Sequence, residues 1–352
     1  MKRMIVWALS AFALLPLGAA PARMQADSKE PHTFLRRHFN FSKEDLDAID
    51  RGKIVTKLPA TSDRREVAAL GVVRLNVSKE FFLKKFMDIE SFKKSEIVSQ
   101  IRRFNSPPRL EDLDELTLES EHATALKNCK VGNCNVRMPA QWIERFLKIN
   151  WSAPDHKERA TVLTRQLLLD YLRSYLKEGN GALAEYGDRP SPLRLADEIR
   201  SLINQSAHLF ETAPDFHKYL SEFPRIQLAD VEDFIYWSKE RIGGFKPVLG
   251  LTHVTVYQQK TGSPPQIMIA SKQIYANHYF EGSLALTWLV DAETEAGKTC
   301  SYLIYFNRSR MDALRGGFSW LKRYLARGKI RDGLAKNIRL TKQKLEGPEG
   351  QP

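Results

Sequence analysis

The chain has 352 residues, 43% of them hydrophobic and 27% charged, and a formal net charge of +12. That balance belongs to an ordinary globular protein and excludes a repetitive or low-complexity chain; the length admits two domains, or one domain with a large insertion. The positive excess attracts nucleic acid, anionic lipid or acidic substrates through its field alone, so the compartment has to choose among them.

The first residues address the compartment. Met1-Lys2-Arg3 is a positive start, residues 4–20 form an apolar run containing Pro16, and Ala20-Pro21-Ala22 offers a small-x-small site. The pattern predicts a signal peptide over residues 1–22 and an exported chain, placed in the bacterial periplasm. No later stretch has the apolar length of a membrane span. Nucleic acid is therefore not expected as a partner, and contact with an anionic membrane is. Cys129 and Cys134, with Gly132 between them to make the turn, are expected to close a small disulfide loop. They lack the second Cys or His pair of a metal site, and Asn135 stands where haem attachment needs histidine. No metal or cofactor is expected, and Cys300 reads as a buried apolar filler.

Residues 23–50 form an N-terminal arm in which Ser42 caps a short helix. Residues 51–109 open the folded domain. Strands are predicted over 53–58 and 67–77, the second with Val67, Ala69, Gly71, Val73 and Leu75 on one face. Ser78 caps a helix carrying Phe82, Phe86, Ile89 and Phe92, and a further strand over 97–104 ends before Pro107-Pro108. Residues 110–222 change texture into a mostly helical insertion. Helices are predicted over 139–149, 155–177 and 214–220, with another starting at Ser191-Pro192, and the glycine-bearing connection 179–188 reads as mobile.

Residues 223–346 return to strands over 234–242, 248–258 and 299–307. The stretch 266–291 fits either two strands with a turn near Asn277 or one long bent strand. From 311 to 345 the apolar period becomes helical, with Leu314, Phe318, Leu321, Leu325, Ile330, Leu334 and Ile338, Gly328 allowing a kink, and Lys and Arg dense on the outer face. Residues 347–352 form a disordered tail. The fold class is α+β: an antiparallel curved sheet gripping a long C-terminal helix, with a helical insertion.

The order of residues 67–92, then 234–345 beyond the insertion, resembles the helix-grip superfamily, which includes START domains, pollen-allergen-like proteins and polyketide cyclases. The stretches Tyr236-Trp237-Ser238-Lys239-Glu240, 252–257 and 271–280 are similar to a group of uncharacterised exported bacterial proteins. The resemblance implies a cavity for a hydrophobic small molecule or lipid between sheet and final helix, and no reaction.

His253, His278 and Glu281 are the candidates for a polar ligand head or for acid–base work, provided a bulge near Asn277 brings the last two to one face. Trp237, Tyr257, Tyr275 and Tyr279 combine an apolar body with a polar tip and suit a cavity lining. Arg308, Arg310 and Arg315, with Lys322 and Arg323 further on, are placed to meet an anionic surface. The alternative to a binding protein is a cyclase- or hydrolase-like enzyme on the same fold, in which His253, His278 and Glu281 meet in one pocket. A third reading is an interaction module with a filled interior.

Overall fold

The computed structural model describes residues 29–241, 246–260, 266–293, 297–314 and 319–347. The predicted signal peptide, the turns at 243–244 and 261–265, Arg315 and the final tail after Gly347 lie outside them.

Two helices, α1 (Lys29–Phe39) and α2 (Lys43–Asp50), precede β1 (Val55–Lys57) and β2 (Glu66–Leu75). Ser42 caps α2 as expected, in a reciprocal box with Asp45. Ser78 caps α3 (Lys79–Met87), accepting from the Phe81 N–H at 3.2 Å. Asp88 ends that helix and its carboxylate starts α4 (Ile89–Lys93), so the one predicted helix is two. Strand β3 (Val98–Arg103) follows.

The insertion supplies α5 (Ser120–Lys127), α6 (Ala140–Leu147), α7 (His156–Glu178), a two-stranded pair β4 (Glu185–Tyr186) and β5 (Leu193–Arg194), α8 (Leu195–Gln205) and α9 (Pro214–Glu222). Ser191 does not cap a helix; β5 intervenes and α8 starts at Leu195. The connection 179–188 is held rather than free. Gly179 lies against the Phe223 carbonyl with a φ of +66°, Tyr186 is buried, and the Gly187 N–H donates to the Met138 carbonyl.

The meander β6 (Val231–Glu240), β7 (Val248–Gln259), β8 (Gln266–Ala276), β9 (Phe280–Glu293) and β10 (Thr299–Met311) completes an eight-stranded antiparallel sheet in the order β1-β2-β10-β9-β8-β7-β6-β3. The 266–291 stretch is two strands, turning at residues 277–279 where Tyr279 has a φ of +61°. The last strand runs four residues further than expected, because Arg308 and Arg310 remain in register with Ala68 and Glu66. The final helix, α10 (Ser319–Glu346), accordingly starts later than 311. Among the described residues no helix is long and apolar enough to cross a membrane.

Both faces of the sheet are covered. On one, Leu70, Val72, Trp237, Leu251, Met268, Leu286 and Phe306 pack with α1, α2 and the insertion helices. On the other, Val73, Val254, Val256, Ile267, Ile269, Leu289 and Leu303 pack with α3, α4 and the C-terminal half of α10. Burying Leu334, Ile338 and Leu345 of α10 contributes about 1.5–3 kcal/mol each. Polar ties fix the helix end: Lys342 Nζ donates to the Arg74 carbonyl at 2.6 Å, and the Asn76 N–H to Glu346 Oε1 at 2.7 Å. Cys129 and Cys134 form the expected disulfide, and Gly132 makes its turn at a φ of +80°.

Close approach of helix and sheet depends on Gly71, where an added Cβ would lie 2.1 Å from Ile338 Cδ1 and 3.3 Å from Leu334. Gly71→Val is expected to lower the unfolding free energy by about 1–3 kcal/mol and to raise amide exchange within residues 328–346 before the rest of the chain. Denaturant titration with hydrogen-exchange mass spectrometry checks both.

Candidate functional site

The residues singled out from sequence fall mainly on the insertion face of the sheet, opposite α10. Trp237 is fully buried and donates its indole N–H to the Asp112 carbonyl at 2.8 Å. Tyr275 packs among Trp142, Tyr171 and Tyr186 and donates to the Arg137 carbonyl, while Tyr257 stacks on Phe216. None of these three borders the space between sheet and C-terminal helix. Their phase along each strand decides this, and with apolar residues on both faces that phase could not be read from alternation.

His253, His278 and Glu281 do not converge. His253 is held between the Tyr175 hydroxyl at 2.7 Å and Asp233 Oδ1 at 2.8 Å. Asp233 also accepts from Thr255 at 2.7 Å and from the Tyr219 hydroxyl. Burial lowers the His253 pKa. Burial alone would raise that of Asp233, but the donors around it, His253 foremost, hold it below the usual carboxylate range. The two residues form the inner wall of a cleft of about 520 Å³ between β6 and α7. Because both ring nitrogens of His253 are engaged, the imidazole orients the insertion rather than offering a free base. His278 lies beside His122 in a separate pocket, with the Tyr279 ring tilted against it at 5.6 Å between centres.

Glu281 joins an ion-pair network instead, 3.0 Å from Arg65 and 4.0 Å from Arg137. Arg308 and Arg310 belong to the same region and are not on an outer face. Arg308 Nε meets Glu66 Oε1 at 2.7 Å, and Arg310 meets Glu66 at 3.3 Å and Glu198 at 2.5 Å. A carboxylate as buried as Glu66 requires such partners, which is why β10 continues through two arginines and why α8 is fastened to the sheet there. The side chains of Lys322 and Arg323 lie outside those described.

The α10 face carries a different set of groups. Thr252, Ser271, Ala285 and Thr287 stand in the middle strands β7, β8 and β9, with Ala69 and Gly71 on β2, and the three hydroxyl residues are half-buried. Ser283, Ser309 and Asn307 bond to one another at 2.8–3.2 Å. From the other side, Lys93 at the end of α4 donates to the Tyr236 hydroxyl at 3.0 Å and pairs with Glu240 at 3.1 Å.

Lys93 and Glu240 keep 31% and 26% of their side-chain surface accessible. Burial opposes the Lys93 charge, but Glu240 and Tyr236 outweigh it and raise its pKa, while Lys93 in turn lowers that of Glu240. Burial pushes the Tyr305 phenol on β10 up to about 12, and the charges of Lys93 and Glu240 reach it although three strands separate β10 from β6. Sequence reasoning missed this group because Lys93, Glu240 and Tyr305 are far apart in the chain and form no motif.

No family model matches the chain, and no curated protein matches it.

Lys272 is a further buried amine on the insertion face, its Nζ 2.6 Å from Asn180 Oδ1 and 5.3 Å from the rings of Tyr175 and Phe223. Burial lowers its pKa to about 7, with Asp233 acting weakly against the shift. The unfolded chain therefore binds a proton that the folded chain has lost, from about pH 7 to the usual lysine value near 10.4. Stability is expected to rise with pH between about 7 and 9.5, by up to about 1.4 kcal/mol per unit from this residue, and Lys272→Met is expected to remove that slope. Urea unfolding at stepped pH measures it; equal slopes in the two proteins would contradict the assignment.

Proposed function

We propose that the protein is an exported helix-grip, START-like carrier that holds a hydrophobic molecule with a polar end between its sheet and C-terminal helix. The observation that carries this reading is the run of small and hydroxyl residues, Thr252, Ser271, Ala285 and Thr287, on the sheet face that α10 packs against, where a packed core would place large ones. The connectivity supports it: β2, two helices, β3, then after the insertion a meander whose last strand returns beside β2 and leads into the helix that crosses the face. The walls divide by chemistry. Val256, Ile267, Leu289 and Leu303 form an apolar cluster on this face, and Lys93, Tyr236, Glu240, Tyr305 and Asn307 offer donors and acceptors for a head group.

Exposed Lys329, Arg331, Lys336 and Arg339 on α10 fit contact with an anionic membrane during loading or release, and the Cys129–Cys134 disulfide fits an oxidising compartment outside the cytoplasm. An enzyme built on His253, His278 and Glu281 together is not favoured, since each is engaged by different partners.

Purified protein extracted with organic solvent is expected to release a stoichiometric apolar compound detectable by mass spectrometry. Ala285→Trp, which fills the floor of the space, should lower its occupancy about tenfold or more with the fold retained by circular dichroism. Lys93→Met should retain apolar binding while changing the head-group class recovered. Absence of any co-purifying compound, or equal occupancy in Ala285→Trp, contradicts the proposal.

A further inference from the structure

A second pocket, of about 270 Å³, lies where the first turn of α5 meets the approach to β7 and the β8–β9 turn. His122, His278, Arg241 and Lys246 border it, brought together from three separate parts of the chain. The two imidazoles face each other edge-to-face, with ring centres 5.7 Å apart. Most nearby charges are already engaged. Glu119 is bound to Lys239 at 2.6 Å, and Arg137 is bound to Asp312 at 2.9 Å. Among the described residues neither Arg241 nor Lys246 makes an ion pair, and Glu121, exposed at the rim, is the other carboxylate facing the pocket.

The result is a concave site with a local surplus of positive charge. Its imprint is on the histidines. Burial first, then His278, lowers His122 to about 3 with Glu119 opposing, and burial followed by Lys246 and Arg137 lowers His278 to about 4. Both rings are therefore neutral near pH 6. A negative ion among them would relieve that field and let the rings become donors, with the N–H groups of the first turn of α5 alongside.

We propose that this pocket binds a small oxyanion of the phosphate class, either free or carried as a phosphate ester. The site lies apart from the space beneath α10 and does not depend on its occupant.

Full-length protein labelled with nitrogen-15 at histidine is titrated across about pH 3 to 7 in inorganic phosphate, against chloride at matched ionic strength. Saturable phosphate binding should raise the His122 and His278 pKa values by about one unit or more. The Arg241→Gln, Lys246→Gln double variant, altered only at exposed positions, should bind about tenfold more weakly while melting unchanged in chloride. Glycerol phosphate separates the two sources: affinity equal to phosphate assigns the site to esters, and a tenfold or greater loss assigns it to the free ion. Histidine signals that ignore phosphate, or that respond equally in the double variant, overturn the proposal.

Discussion

An antiparallel sheet of eight strands has two broad faces, and in this chain each is hidden by a different part of the sequence. The N-terminal helices and the insertion cover one, and α3, α4 and α10 cover the other. The covering of the insertion face is held by charge as well as by packing. Glu66 lies between Arg308 and Arg310, Arg310 reaches Glu198 on α8, and Arg65 links Glu198 to Glu281. Removing one member would strand a buried charge at a cost of about 3–5 kcal/mol, so this face is built to stay closed.

The opposite face has a different composition. Its outer rows are filled by Val73, Leu75, Ile267, Leu289 and Leu303, but its middle rows carry Gly71, Ser271, Ala285 and Thr287. At Gly71 the space is taken by Ile338 and Leu334 of α10, while Lys93 and Glu240 at the β6 side keep 31% and 26% of their side-chain surface accessible. The insertion braces the sheet from one side, and α3, α4 and the C-terminal half of α10 pack on the other.

Local signals in the sequence carried most of the elements. The caps at Ser42 and Ser78, the cysteine loop with Gly132 and the break near Asn277 all act within a few residues and were legible for that reason. Arg308 and Arg310 misled, because an arginine-rich strand end looks like a surface until Glu66 and Glu198 are known to lie opposite. The glycines of 179–188 misled in the same way: Gly179 is there for close approach to Phe223, not for freedom. The site itself was least legible. With both faces apolar, period-two alternation does not say which side Trp237 or Tyr275 will take, and Lys93, Glu240 and Tyr305 meet only through the fold.

The central claim is that the ligand lies on the α10 face and not in the insertion cleft. A photoactivatable fatty acid crosslinked to the full-length protein, followed by peptide mapping, tests it most directly. The account predicts label on peptides from β9, β10 and α10, competed by unlabelled fatty acid. Competed label confined to α7 and the Asp233–His253 cleft would contradict it.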